Sequence, residues 1–140
     1  MREMVYQMKI PYFARLHTGY ESKRILVRNI MSEKPWISVC EIDDLLPDTG
    51  VCALVNNKQV AIFRSRRLNE IFAVSNYDPI GEANILSRGI IGSIGDEVVV
   101  ASPLYKEHYN LRTGECLEKP EYMVAVYPVR IDDGLVQVQA

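Results

Sequence analysis

Cysteines and histidines are the residues that could bind zinc or an iron–sulfur cluster. In this chain of 140 residues they are Cys40, Cys52, Cys116, His17 and His108. Zinc and iron–sulfur sites usually contain closely spaced pairs such as C-x-x-C, C-x-H or C-x-x-H. Because no such pair occurs here, the sequence predicts no metal site of this kind.

Two further patterns resemble catalytic or nucleotide-binding motifs but lack the required context. His108 could form a hydrolase-type triad with an aspartate and either Ser102 or Ser87, but no G-x-S-x-G motif accompanies them. The G-x-x-G-x-x-G spacing at residues 89–95 resembles a phosphate-binding loop, which should lead into a helix. Here the strand-like run EVVV follows, so we expect turn glycines. We therefore predict no catalytic residue in this chain.

Composition and charge are those of one globular domain. Apolar residues make up 48% of the chain and the net charge is −2, which indicates neither a nucleic-acid nor an anionic-membrane partner. No apolar run approaches the roughly 18–20 residues of a membrane span, and the N-terminus lacks the apolar segment of a signal peptide. Three well-separated cysteines are typical of reduced thiols, so we expect a cytoplasmic protein.

A basic cluster lies between two predicted strands and comprises Arg64, Arg66 and Arg67. The simpler interpretation is a solvated loop. The alternative is a docking contact for an acidic patch on a partner protein, since charge complementarity guides association.

Residues 1–34 differ from the rest in having no clear periodicity. Met31 opens the stretch MSEKPW, which reads like the start of a protein. We therefore expect an N-terminal extension at 1–34, weakly ordered or created by an upstream start codon, before a domain at 35–140. The alternative is a helix or strand that docks on the domain or on a second chain.

From Trp36 onward the pattern is that of β-structure. The stretches NNK at 56–58 and DG at 133–134 predict hairpins, and residues 41–47 predict one short helical turn. Many short strands at close spacing favour an all-β sandwich or small barrel. The predicted strands cover residues 36–40, 51–55, 59–63, 71–75, 97–101, 122–131 and 135–138.

Two loops form a pair, because each follows a predicted strand and each contains a proline. The first reads NYDPIG at 76–81, and the second reads SPLY at 102–105, followed by YNLRTG at 109–114. Together they resemble the cluster-binding loops of the Rieske iron–sulfur fold, which read N-x-C-P-H-x-G and C-P-x-H, the latter continuing into F-D-L-x-T-G. The tail YPVRIDDGLVQV resembles the closing hairpin of that family. The resemblance implies a Rieske-like β-sandwich or barrel with a cluster-loop subdomain.

The four positions of the cluster ligands depart from this resemblance. In the first loop, Asp78 and Ile80 occupy the positions of the Cys and His ligands. In the second loop, Ser102 and Tyr105 occupy them. A Rieske cluster needs two thiolates and two imidazoles. Ile80 offers no lone pair, and the other three side chains offer hard oxygen groups. We therefore predict no cluster and no one-electron chemistry in this chain.

One group of Rieske-like proteins lacks the ligands in this way, namely the small subunits of the cytoplasmic NADH-dependent nitrite reductase. Residues 32–139 are similar to that family, most specifically in the stretches DDLLPDTGVCALV, QVAIFR, FAVSNYDP, LSRGII and VASPL. The resemblance implies an accessory, non-catalytic subunit. It also implies a large-subunit partner that holds FAD, a [4Fe–4S] centre and sirohaem and reduces nitrite to ammonium with electrons from NADH.

Two alternatives to this reading remain open on the sequence. The first is a Rieske-type ferredoxin that carries electrons, against which the missing cysteine and histidine pairs argue. The second is a stand-alone β-domain that binds a small ligand or a different oxidoreductase.

Without a cluster, other contacts must hold the two loops together, or the loops move. We expect Asp78 to hydrogen-bond Ser102 or Tyr105 across the gap, or to accept from backbone N–H groups of the opposite loop. A buried Asp78 without donors would be costly. Ile80, Leu104 and Tyr105 are a predicted docking surface, since tyrosine is a favoured interface anchor. The alternative is that these side chains merely fill the space of the cluster.

Overall fold

The computed structural model describes residues 34–140, so all but the last residue of the predicted N-terminal extension at 1–34 lies outside the described residues. This part of the chain is almost entirely β-structure, which confirms the all-β prediction. The strands are β1 Ile37–Glu41, β2 Gly50–Val55, β3 Lys58–Ser65, β4 Glu70–Ser75, β5 Tyr77–Asp78, β6 Ala83–Asn84, β7 Ile90–Ile94, β8 Glu97–Ala101, β9 His108–Asn110, β10 Val126–Tyr127, β11 Val129–Asp132 and β12 Leu135–Val138.

Two antiparallel sheets form the main body of the domain. One has the strand order β1-β12-β11 and the other β10-β4-β3-β2. Alternate residues of β3 point to opposite faces of its sheet. Val60 and Ile62 face the first sheet and pack in one core with Val136 and Val138, all fully buried.

A smaller subdomain covers the other face of the four-stranded sheet. It contains the three-stranded sheet β7-β8-β9 and the short hairpin β5-β6. Ala61 and Phe63 of β3 point toward it and share a second core with Val100 and Tyr109. Since β3 is buried on both faces, it holds the loop-bearing subdomain and the sandwich in a fixed relation.

Two tight hairpin turns set the strand register. Asn56 and Asn57 have φ values of 54° and 65°, and Asp133 and Gly134 have φ values of 51° and 79°. Two successive positive φ values are typical of the two-residue hairpin turns that match the right-handed twist of strands. Both hairpins therefore form where the sequence predicted them.

Helical structure is limited to short 3-10 segments in the described residues, none of which is long and apolar enough to cross a membrane. The sequence predicted one helical turn, which is present at Ile42–Asp44. The prediction of a single turn was wrong, because a second segment forms at Leu86–Arg88. Its first turn depends on Asn76, whose side-chain oxygen accepts from the Ser87 backbone N–H at 2.7 Å.

Two other predictions about the strands were wrong. The single strand predicted at 122–131 is divided into β10 and β11, which pair with different sheets. Pro128, which lies between them, has no N–H to donate to a ladder. Gly92, predicted to lie in a turn, is instead in the middle of β7, whereas Gly95 does occupy a turn with φ 61°.

Candidate functional site: two loops joined by a buried carboxylate

The side chain of Asp78 joins the two loops that the sequence paired. Asp78 is in β5, within the first loop, and is fully buried. The hydroxyl of Ser102, at the start of the second loop, donates to Asp78 Oδ2 at 2.5 Å. The phenol of Tyr109 in β9 donates to Asp78 Oδ1 at 2.7 Å. We call these three residues the Asp78 network.

Backbone groups of the first loop complete the coordination of the carboxylate. The N–H groups of Ile80 and Gly81 donate to Asp78 Oδ1 at 2.9 Å and 3.1 Å. These donors belong to the loop of Asp78 itself, so the alternative in which the opposite backbone supplies donors was wrong. The expected bond between Asp78 and Ser102 is present. Tyr105, the other expected partner, is instead 64% exposed.

Hydrogen bonds decide the protonation state of this buried carboxyl. Burial is the largest single influence on Asp78 and by itself raises its pKa. Bonds from Ser102, Tyr109 and the two backbone N–H groups together outweigh burial, so the pKa of Asp78 lies below its usual value. Burial, followed by the adjacent Asp78 carboxylate, raises the pKa of Tyr109. At neutral pH the network is therefore a carboxylate that accepts from two neutral hydroxyl groups.

The second loop is closed by its own hydrogen bonds. The Ser102 N–H donates to the Glu107 carbonyl at 2.9 Å, and the Lys106 N–H donates to the Ser102 carbonyl at 3.0 Å. The Leu104 N–H donates to Ser102 Oγ at 3.3 Å. Ser102 thus links the closure of its own loop to the carboxylate of the other loop.

The two loops also approach each other closely at Gly81. A Cβ atom added to Gly81 would lie 2.6 Å from Leu104 Cδ1 and 2.9 Å from Asp78 Oδ2. Ile80 is half-buried and packs against the core beneath the loops. The four positions where the resemblance places cluster ligands therefore separate into a buried pair, Asp78 and Ser102, and the more exposed Ile80 and Tyr105.

Sequence reasoning missed Tyr109 and Asn76. Tyr109 is fully buried, and the only signal for it was its alternation with the more exposed His108 in a short strand. Asn76 is 2% exposed, and its side-chain N–H donates to Gln59 Oε1 at 3.0 Å. Because the Asn76 side-chain oxygen also accepts from the Ser87 N–H, Asn76 fixes the base of the first loop.

The structure gives His108 and Ser102 separate partners, so these two residues do not form a hydrolase triad. His108 Nδ1 lies 2.5 Å from Glu118 Oε2, and the His108 backbone N–H donates to Glu118 Oε1 at 2.8 Å. Burial opposes ionisation of Glu118, but these bonds outweigh it and lower the pKa of Glu118. Because Ser102 donates to Asp78, His108 and Ser102 belong to separate pairs.

The three arginines of the basic cluster have different environments. The prediction that the cluster lies between strands was wrong for Arg64, which is in β3, since the strand extends to Ser65. Arg64 is half-buried, and its guanidinium donates to the Leu45 carbonyl at 3.0 Å, which supports the first 3-10 segment. The Arg66 backbone N–H donates to Asp48 Oδ1 at 2.9 Å, and its side chain lies 3.5 Å from the same carboxylate. Arg67 is exposed. Only Arg66 and Arg67 therefore present their charges mainly to solvent.

The cysteines of the described region lie outside the two loops. Cys40 and Cys52 are in β1 and β2, and Cys116 is buried beyond β9. Burial raises the pKa of Cys116 and so favours its neutral thiol. Within residues 34–140, no group of three or more His, Cys, Asp or Glu side chains is placed to hold a metal ion.

Comparison with known proteins identifies the family of this fold. The family model for the Rieske-like [2Fe-2S] domain matches residues 35–139. The nitrite reductase (NADH) small subunit of Escherichia coli K12 is 47% identical over 104 residues, which cover 74% of this chain and 96% of that protein. This chain belongs to the nitrite reductase (NADH) small-subunit family. A crystal structure of the putative small subunit from Mycobacterium tuberculosis is 38% identical, with a TM-score of 0.73, and covers 76% of this chain and 96% of that one.

Another relative carries a small-subunit-like segment within a much longer chain. The nitrite reductase [NAD(P)H] large subunit of Klebsiella oxytoca is 36% identical over 108 residues. The match covers 77% of this chain and 11% of that protein. In that relative, a domain similar to this small subunit is covalently part of the large subunit.

The residues of this small-subunit domain do not fit the [2Fe–2S] cluster in the description of its wider family. Both Asp78 oxygens already accept hydrogen bonds, and the Ser102 hydroxyl is committed as a donor to one of them. Ile80 has no coordinating atom. A cluster of this kind is held by Cys thiolates and His imidazoles, and hard oxygen ligands are poor substitutes.

Proposed function

We propose that this chain is the accessory, non-catalytic small subunit of an NADH-dependent nitrite reductase, which reduces nitrite to ammonium. One observation carries the proposal: 47% identity extends over 96% of the E. coli small subunit. Similarity of this extent reaches beyond a shared fold, which by itself would be a weak basis for function. The partner is the large subunit, and the FAD, [4Fe–4S] centre and sirohaem of the complex belong to it.

The chain itself holds no iron–sulfur cluster and transfers no electrons. Support comes from the donor set at the two loops, where Asp78 and Ser102 bind each other and Ile80 offers no ligand atom. The Asp78 network provides the cross-link between the loops that a cluster would otherwise provide. The chain therefore acts by supporting the assembly or activity of its partner. We infer that it does so in the cytoplasm, as part of nitrate assimilation.

The test is to purify the tagged full chain from its native cells, grown with nitrite at low oxygen, and to identify what accompanies it. We expect a large flavoprotein that contains sirohaem. Iron and acid-labile sulfide, measured on the small subunit after its separation from the partner, should be at background level. The untagged strain serves as the control.

Two results would contradict the proposal. Recovery of the chain without a sirohaem protein would exclude the subunit role. Stoichiometric iron and sulfide in the separated chain would favour the alternative function, a Rieske-type ferredoxin that carries electrons.

A further inference from the structure

Large apolar side chains are exposed at the end of the second loop. Tyr105 is 64% exposed and Leu104 is 48% exposed. Leu104 lies against Gly81 of the first loop, and half-buried Ile80 precedes Gly81 in the chain. We call Ile80, Leu104 and Tyr105 the loop tip. Exposed apolar side chains are ordinary when they are scattered, but a cluster on two joined loops is a candidate binding surface.

The loop tip is held in place before any partner binds. Ser102 is bonded both to Asp78 of the first loop and to the Leu104 N–H of its own loop. Lys106, which follows Tyr105, has a φ of 68° and donates its N–H to the Ser102 carbonyl. A surface fixed in this way loses little conformational entropy on binding, and this increases the affinity obtained from a small apolar area.

The charge of the network is hidden beneath this surface. Asp78 is fully buried, and its carboxylate is covered by donors from both loops and from Tyr109. The centre of a typical protein–protein interface is depleted of charge and enriched in tyrosine. The loop tip has this composition.

The Klebsiella large subunit supports the choice of partner. In that protein, a segment 36% identical to this chain is joined to the rest of the large subunit. Covalent linkage holds such a domain beside the remainder at a high effective concentration, so an interface between them need not be large. This chain matches a separate small subunit over 96% of that subunit's length, so under the proposed function the contact forms between two chains.

We propose that the loop tip is the surface by which this chain binds the large subunit, with Tyr105 as its anchor. The inference rests on the proposed function and adds the location of the contact. The Asp78 network takes part indirectly, since it positions the loop that carries Leu104 and Tyr105.

The test measures the affinity of the full chain for the purified, cofactor-containing large subunit by biolayer interferometry. We expect Tyr105→Ala to weaken binding by about tenfold or more, as is typical of a tyrosine anchor, and Leu104→Ala to weaken it less. Tyr105→Phe should retain most of the affinity. Matched controls are Leu54→Ala on β2 and Ile90→Ala on β7, which are 69% and 76% exposed. Both should bind within about twofold of the wild type.

The outcomes separate this inference from the function on which it rests. If the wild-type chain does not bind the large subunit, the proposed function fails. If the wild type binds and both loop-tip variants bind with the same affinity as the wild type, the proposed location is wrong. A loss of affinity in Ile90→Ala alone would place the contact on β7 instead. Self-association of the chain that Tyr105→Ala abolishes would show that a second copy occupies the tip, which also overturns the inference.

Discussion

Replacing Asp78 with alanine should destabilise the domain strongly, because the carboxylate is the common acceptor of the network. In Asp78→Ala, the hydroxyls of Ser102 and Tyr109 lose their acceptor in a buried site. Each unsatisfied buried polar group costs about 1–3 kcal/mol, so the pair gives about 2–6 kcal/mol. Ile80 and Gly81 are only partly buried, so we expect water to replace the acceptor that their N–H groups lose.

Asp78→Asn should have a smaller effect, since the amide keeps the shape of the carboxyl. Its oxygen can accept from Tyr109 and the two backbone donors, and the Ser102 hydroxyl can rotate to accept from the amide. The variant loses the charge assistance of these bonds, which we estimate at about 1–2 kcal/mol. If Asp78→Ala does not fold, Asp78→Asn still provides the measurement.

Equilibrium unfolding in urea at pH 7 measures both effects on the full chain. Trp36 is the single tryptophan, and Arg130 packs over its ring at 4.3 Å, so its fluorescence should report on unfolding. Asp43→Ala is the matched control, because Asp43 is exposed in the first 3-10 segment and should change the unfolding free energy by less than about 0.5 kcal/mol. If Asp78→Ala were no more destabilising than this control, the assigned role of the carboxylate would be wrong.

Three further predictions concern the same site. Folding lowers the pKa of Asp78, so its ionisation stabilises the folded protein. This stabilisation is fully present above the unfolded-state pKa of about 3.9 and is lost as the pH falls through the lower folded-state pKa. The gap in stability between wild type and Asp78→Asn should therefore be constant from pH 6 to 8 and narrow in acid; a constant gap down to about pH 2 would contradict the assignment. Tyr109→Phe should lower the unfolding free energy in urea by about 1–2 kcal/mol, and an unchanged value would show that its hydroxyl contributes nothing. Gly81→Ala should cost about 1–3 kcal/mol, because its Cβ would lie 2.9 Å from Asp78 Oδ2, and hydrogen bonds hold that carboxylate in place. Gly92→Ala, with open space at its Cβ, should cost less than about 1 kcal/mol, and equal thermal stability of the two variants would refute the close packing at Gly81.

Several strands could be predicted because their signals are local. The continuous apolar run at Glu97–Ala101 and the turn before Leu135–Val138 gave strands with the same bounds as the structure has. By contrast, β7 was missed, because its glycines resembled a loop and only its pairing with β8 makes it a strand. The division of the predicted strand at 122–131 likewise depends on which sheet each half joins.

The site was predicted in part for a similar reason. Pairing the two loops brought Asp78 and Ser102 together, and the structure shows their bond. Tyr109 lies 31 positions from Asp78 along the chain, and its contribution depends on which face of β9 turns inward. A short strand with one buried and one more exposed aromatic residue does not reveal that orientation. The family's aromatic position at the start of the F-D-L-x-T-G stretch gives no indication of a hydroxyl donor.

Sedimentation velocity at a visible wavelength, where only protein-bound cofactors absorb, tests most directly whether this chain binds the large subunit and itself carries no cofactor. The full chain, the purified large subunit and their mixture would be compared. We expect no visible boundary for the chain alone and a faster visible boundary for the mixture than for the large subunit alone. A visible boundary for the chain alone, or an unchanged boundary in the mixture, would contradict it.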